Sequence, residues 1–233
     1  MKTFTYLFYN YLYKPVLQLY LRSDSKVRYE DFELKVLRGV FHPKLFFSST
    51  YLYSFLNKQT LSALQFLEIG AGSGILSLLA QRKGAFVTAV DLDPKAVENT
   101  SLNFKINFGN DYKARIIQSD VFENVPAQTY DVIVINPPYY FKKVETNVQM
   151  AWYCGENGEY FKKLFSGLAK FMHANTKVFM ILEEKCELER IRSIADESGI
   201  ELRLIEEKLI KWEKNYIYQL VSVGEMLGNK KIN

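Results

Sequence analysis

Cysteine and histidine are scarce in this chain. Its 233 residues include two cysteines, Cys154 and Cys186, and two histidines, His42 and His173. With no C-x-x-C pair, a disulfide framework or a zinc site of the usual spacing is excluded. The histidines lie far apart without ligand-like neighbours and read as structural or surface residues. Repeats, low-complexity tracts and Gly/Ser linkers are lacking as well. The net charge is only +4, and the lysines come in pairs (Lys142-Lys143, Lys162-Lys163, Lys230-Lys231) rather than runs. That falls short of the clustered excess of a dedicated nucleic-acid binder, so the pairs read as solvated faces. No apolar stretch reaches the about 20 residues that span a membrane. Residues 3–21 come nearest, but Asn10, Lys14, Pro15 and Gln18 interrupt them, and no small-residue cleavage site follows. A cytoplasmic chain with no resident metal is expected.

What is present is a chain rich enough for a core, with 48% hydrophobic residues, and of a length that suits one α/β domain. Phe4, Leu7, Phe8, Tyr11 and Leu12 share one face at helical spacing. They predict a cap helix, with contact to a substrate, partner or membrane surface as the alternative. Residues 1–60 are read as a mostly helical extension with a loop near Gly39–Ser49, residues 61–225 as the main domain, and residues 226–233 as a tail.

From Leu64 onward strands and helices alternate. Strands are predicted at Leu64–Ile69, Phe86–Val90, Ala114–Gln118, Tyr130–Ile135, Lys177–Leu182, Ile200–Ile205 and Tyr216–Val223. Helices are predicted at Ser73–Lys83, Pro94–Phe108, Tyr160–Met172 and Leu188–Glu197. Alternation of this kind builds a mostly parallel sheet with helices on both faces. The link between the last two strands is too short for a parallel crossover, so they form an antiparallel hairpin. Ligands of such doubly wound sheets bind beyond the carboxyl ends of the strands.

Two motifs fall there. Glu68-Ile69-Gly70-Ala71-Gly72-Ser73-Gly74 joins a strand to a helix. Gly70, Gly72 and Gly74 allow a tight turn and close approach of a ligand, and the helix start offers N–H groups to an anion. Ile75 stands where a dinucleotide site wants its third glycine, which tilts the reading from a nicotinamide to S-adenosylmethionine. Asp91 ends the next strand, 21 residues after Gly70, where an acid accepts from both ribose hydroxyls. Asp93 competes for that role but is read as the cap of the helix opened by Pro94. In Ser119-Asp120-Val121-Phe122, Asp120 can accept from an adenine amino group while Val121 packs on the ring.

The second motif is Asn136-Pro137-Pro138-Tyr139, after the apolar run Asp131–Ile135. An amide or aromatic amine is a poor nucleophile because its lone pair is delocalised. The Asn136 side-chain carbonyl and the Pro137 backbone carbonyl can each accept one N–H and aim the nitrogen. The prolines stiffen the segment, and the Tyr139 ring can lie on the target's flat face. Catalysis is then mostly orientation, with the proton leaving to water.

On these residues the chain resembles class I S-adenosylmethionine-dependent methyltransferases of the NPPY group over residues 38–223. Within that group it is most similar to the HemK-type glutamine methyltransferases of release factors. Ala89-Val90-Asp91 and Ala151-Trp152-Tyr153-Cys154-Gly155-Glu156-Asn157-Gly158 add to the likeness. The resemblance implies a Rossmann-like seven-stranded sheet with an antiparallel last strand. It places the target amide on Asn136 and the cofactor on Gly70, Gly72, Asp91 and Asp120; Glu68 and Gly74, from the same motif, are counted among the cofactor-binding residues. Two departures stand out. Cys154 replaces the family's first glycine, and Pro43–Thr50 matches its P-x-x-D-T segment without the acid. NPPY also occurs in methyltransferases of RNA and DNA amines. Three readings follow: a protein glutamine methyltransferase acting on a release factor, a nucleic-acid amine methyltransferase, and a nucleoside-binding module without catalysis.

Overall fold

The computed structural model describes residues 23–43, 47–211 and 213–223. The aromatic segment 3–21 and the tail 226–233 lie outside the described residues. The chain order is β1 (Ser25–Tyr29), β2 (Phe32–Val36), α1 (Phe47–Asn57), β3 (Gln65–Ile69), α2 (Ile75–Arg82), β4 (Phe86–Asp91), α3 (Pro94–Phe108) and β5 (Arg115–Gln118). It continues with β6 (Val132–Ile135), a short 3-10 turn at Asn147–Ala151, α4 (Glu159–Leu168), β7 (Lys177–Glu183), α5 (Leu188–Glu197), β8 (Ile200–Ile210) and β9 (Glu213–Ser222). The main sheet runs β5-β4-β3-β6-β7-β9-β8. β3 to β7 are parallel, and β9 is antiparallel to both neighbours. The expected seven-stranded, doubly wound sheet with an antiparallel last strand is therefore present. No helix among the described residues is long and apolar enough to cross a membrane.

Both faces of the sheet are covered. On one, β6 and β7 place Ile133, Ile135, Val178 and Met180 against Phe161, Leu164 and Phe165 of α4. On the other, Val132, Val134, Phe179 and Ile181 meet Leu52 and Leu56 of α1 and Leu76 of α2. Continuous burial of both faces explains why the central strands read as unbroken apolar runs.

One expectation needs correction. Residues 25–36 are not helical but an antiparallel hairpin, with Tyr29 opposite Phe32. Phe32, Leu34 and Val36 are buried while Glu33 and Lys35 face outward. This period of two is the mark of a strand, and only Phe47–Asn57 of the described part of the extension is an α-helix. Smaller shifts follow local geometry. α2 starts at Ile75 because the glycine loop runs through Gly74, and α4 ends at Leu168 before a 3-10 turn to Phe171.

The hairpin is held by an asparagine ladder on α3. Asn99, Asn103 and Asn107 recur every fourth residue and stand on one face of the helix. Their side-chain oxygens accept from the backbone N–H of Leu37 (2.6 Å), Lys35 (2.8 Å) and Glu33 (3.0 Å). Their amide groups donate to the carbonyls of Lys35 and Glu33. The ladder does for the free edge of β2 what another strand would do. Asn103 also donates to the Ser73 carbonyl at 2.9 Å, and Thr100 to that of Gly72 at 3.1 Å. α3 thus ties the hairpin to the glycine loop. Asn103→Leu strands buried backbone groups on both and is expected to cost about 3 kcal/mol, read as a lowered denaturation midpoint; an unchanged midpoint would refute the ladder's role.

Candidate active site

The chain leaves β3 for β4 and β5, then returns to β6 on the other side of β3. The crevice of such a sheet opens at this reversal. Ile69 of β3 lies beside Ile135 of β6, so Gly70 and Asn136, the next residue of each strand, emerge side by side. The glycine loop is pinned to β4: Gly70 and Ala71 donate to the Val90 carbonyl at 2.8 and 3.0 Å. Gly70, Gly72 and Gly74 have φ of 79°, 55° and 78°, a left-handed path that side chains resist. At Gly74 a Cβ would lie 2.8 Å from Thr100 Cγ2.

A cavity opens over these ends. Glu68, Gly70, Gly72, Asp91, Asp120, Val121, Asn136, Pro137 and Tyr139 all line it. Of the residues chosen from sequence, only Gly74 does not, being packed on Thr100.

Asp91 has two tasks. Its Oδ2 accepts from Gly72 N and its Oδ1 from Asp93 N, both at 2.9 Å. The side chain also lines the cavity, where a carboxylate can accept further hydrogen bonds. Burial raises its pKa to about 6, against the lowering effect of those N–H groups. Asp93 caps α3, accepting from Lys95 N at 3.0 Å, as expected. Asp120 pairs with Lys163 Nζ at 2.5 Å, which also holds Glu123. Val121 is buried at φ 54°, a strained conformation for a β-branched residue, costing about 1–3 kcal/mol. Ser119 Oγ donates to the Val121 carbonyl at 3.1 Å and accepts from Asn124 N at 3.0 Å, bracing the turn.

Glu68 is 3% exposed and accepts from Ser77 N at 2.9 Å and from the Ser77 hydroxyl. It therefore fastens β3 to α2 beneath the loop. Burial pushes its pKa up to about 8. The neutral acid is the form that favours folding, so its stabilisation is full below the ordinary value of 4.5 and lost as pH rises through about 8. The melting temperature is expected to fall from pH 6 to 9, with a shallower fall in Glu68→Gln; equal slopes would refute this.

At the other motif, Asn136 Nδ2 donates to Ser49 Oγ at 2.9 Å and to Ser48 Oγ at 3.3 Å, both from the first turn of α1. With the amide nitrogen held there, Asn136 Oδ1 accepts no hydrogen bond among the described residues, and neither does the Pro137 carbonyl. Tyr139 lines the cavity but is 5% exposed. Its hydroxyl is directed at Glu183, which with burial raises its pKa, and its ring meets Tyr140 edge-on at 4.9 Å.

The segment after the motif pairs with Tyr140. Tyr140 N donates to the Trp152 carbonyl at 3.1 Å, and Cys154 N to the Tyr140 carbonyl at 3.0 Å. Cys154 fills the core at 1% exposure, and burial pushes its thiol up to about 12. Trp152 lines the cavity with Phe41, their rings 5.2 Å apart. Neither histidine lines the cavity: His42 is buried, and His173 bonds Asp131 at 3.0 Å. Sequence reasoning missed Ser48, Ser49, Phe41, Trp152 and Lys163. The serines stand in the quoted Pro43–Thr50 stretch and Trp152 in the segment after NPPY. Lys163 carried no signal beyond its charge.

The pattern of the methyltransferase small domain family matches residues 31–159. A protein of Methanocaldococcus jannaschii named for N5-glutamine methylation is 37% identical over 97 residues, covering 40% of this chain and 47% of that one. A tRNA1(Val) (adenine(37)-N6)-methyltransferase of Flavobacterium psychrophilum is 38% identical over 90 residues, covering 36% and 37%. The matched stretch spans less than half the length of either curated relative. A methyltransferase crystal structure from Pyrococcus furiosus superposes with a TM-score of 0.56 at 25% identity, covering 77% of this chain and 86% of that one. A glycine loop at the sheet's reversal, an acid ending β4 and NPPY after β6 thus meet a family match over more than half of the sequence: the chain belongs to the methyltransferase small domain family of S-adenosylmethionine-dependent methyltransferases.

Proposed function

We propose that this chain transfers a methyl group to the nitrogen of a planar –NH2 group, with the glutamine side-chain amide of a protein, a release factor, as acceptor. The observation that carries this is the orientation of Asn136. Ser48 and Ser49 take its amide nitrogen, which leaves Oδ1 and the Pro137 carbonyl as paired acceptors beside the glycine loop. The residues fit the cofactor. The loop keeps bare backbone toward the cavity, and Asp91 and Asp120 offer acceptors to a nucleoside.

When bound, S-adenosylmethionine supplies a methyl carbon made electrophilic by its sulfonium. Gly70 and Gly72 with the start of α2 would hold its carboxylate. Asp91 would accept from the ribose hydroxyls and Asp120 from the adenine amino group, with Val121 against the ring. Asn136 and Pro137 would accept the two N–H bonds of the target and aim its lone pair. The Tyr139 ring, anchored toward Glu183, would form a wall against the target's flat face. After transfer the methylated nitrogen's extra proton can pass to water, so the chain need supply no base. A cytoplasmic setting and a cap role for residues 1–60 belong to the same reading.

A second reading has its own support. Phe41 and Trp152 line the cavity, Lys142 lies 5.5 Å from the Tyr153 ring and Lys143 is exposed. Aromatic rings beside cations suit stacked bases of a single strand, so an adenine or guanine amine of RNA or DNA is the alternative acceptor. The test is the fate of label from methyl-tritiated S-adenosylmethionine in an undermethylated extract. Label released only by protease supports the glutamine reading; label released only by nuclease replaces it with the nucleobase reading. Cofactor binding without any transfer leaves a nucleoside-binding module.

A further inference from the structure

Tyr160 is the second residue of α4, and its hydroxyl is buried without a hydrogen-bond partner among the described residues. The side chain nevertheless lines the cavity. Its placement is firmly set. Tyr160 N donates to the Cys154 carbonyl at 3.0 Å, and the ring meets Phe161 edge-on at 5.5 Å. Gly158, which opens α4 at φ 71°, lets the helix start pack tightly; a Cβ there would lie 2.7 Å from Phe141 Cε1 and 2.6 Å from Ile194 Cδ1.

Asp91 and Asp120 line the same cavity as Tyr160, and burial first, then the charge of these carboxylates, holds the phenol protonated. An unpaired buried hydroxyl is a cost to the fold. It is kept where a ligand will pair it. The two acids can only accept, whereas a nucleoside also presents acceptors: ring nitrogens and ribose oxygens. Lys163, the nearby cation, is already committed to Asp120 and Glu123. Tyr160 thus brings to the cavity a side-chain donor that has no partner among the described residues.

We propose that the Tyr160 hydroxyl donates a hydrogen bond to an acceptor atom of the cofactor's adenosine part, in the cavity that Asp91 and Asp120 also line, and so completes the nucleoside site. The proposal rests on the cofactor reading of this cavity. The test is Tyr160→Phe, with calorimetric titration of S-adenosylmethionine, S-adenosylhomocysteine and 5′-methylthioadenosine. All three are expected to bind about tenfold more weakly, because all carry the same nucleoside. The ligand-free melting temperature is expected to hold or rise, since the variant removes a buried group that had no partner. Unchanged affinities in a folded variant would overturn the assignment. So would a raised KM for the acceptor with nucleoside affinities intact, which would move the hydroxyl to the target's side of the cavity. A lowered melting temperature with unchanged affinities would make Tyr160 merely structural. If the wild type binds none of the three compounds, the cofactor reading fails first.

Discussion

Asn136→Ala is expected to lower kcat about 10³-fold while leaving cofactor affinity within about a factor of two. The size follows from what the residue would do. A delocalised nitrogen reacts only when both N–H bonds are held and its lone pair is aimed. Alanine removes one of the two acceptors and frees the target to rotate. The proposed cofactor contacts lie at the ends of β3 and β4 and at the Asp120 turn, so binding should be spared. The serine pair sharpens the test. Ser48→Ala with Ser49→Ala keeps Asn136 but releases its amide, which can then turn its nitrogen toward the target. That double variant is expected to lose about 10²-fold in kcat, and Ser49→Thr on the Ser48→Ala background to recover part of it by restoring a hydroxyl. Comparable turnover in Asn136→Ala would sink the clamp, and full activity in the double variant would sink the orienting role of the serines.

The second large effect concerns Asp91. Asp91→Ala is expected to weaken cofactor binding about 100-fold by calorimetry, since two hydrogen bonds to a buried charge are lost. The loop also loses its tie from Gly72 N. Because the free protein's carboxyl titrates near 6, the sign of the pH effect is set. The ribose contacts require the carboxylate, and below about 6 the neutral acid predominates. Affinity should therefore weaken as pH falls through 6, approaching roughly tenfold per unit, and Asp91→Asn should flatten that dependence. Unchanged affinity in Asp91→Ala would pass the ribose contact to Asp93, despite its service as the α3 cap.

Legibility in the sequence tracked how local the determinant was. α3 runs Pro94–Phe108 as expected because its start signal, Asp93-Pro94, and its stop, Gly109, are both adjacent to it. The cofactor loop was readable because a left-handed path leaves few choices but glycine. The hairpin at 25–36 departs from the expected helix although Phe32, Leu34 and Val36 alternate with Glu33 and Lys35, because five-residue strands are too short for their period to stand out beside an aromatic-rich stretch. The asparagine ladder was not readable as a ladder. A polar stripe on α3 means solvent exposure until a second element is known to lie against it. Tyr139 shows the same limit: its identity points to a flat target, whereas its burial and its approach to Glu183 come from β7, 44 residues away.

By itself, the sequence determined the α/β class, the order of strands and helices from β3 onward and the place of the glycine loop, because each depends on backbone preferences within a few residues. Tertiary structure alone decided that Ser48 and Ser49 hold the Asn136 amide, that Lys163 claims Asp120, and that Tyr160 brings an unpaired hydroxyl to the cavity that Asp91 and Asp120 line. These partners stand 40 to 90 residues apart or on different elements. Only the packing of α1 and α4 against opposite faces of one sheet brings them to a single cavity, and no local spacing encodes that meeting.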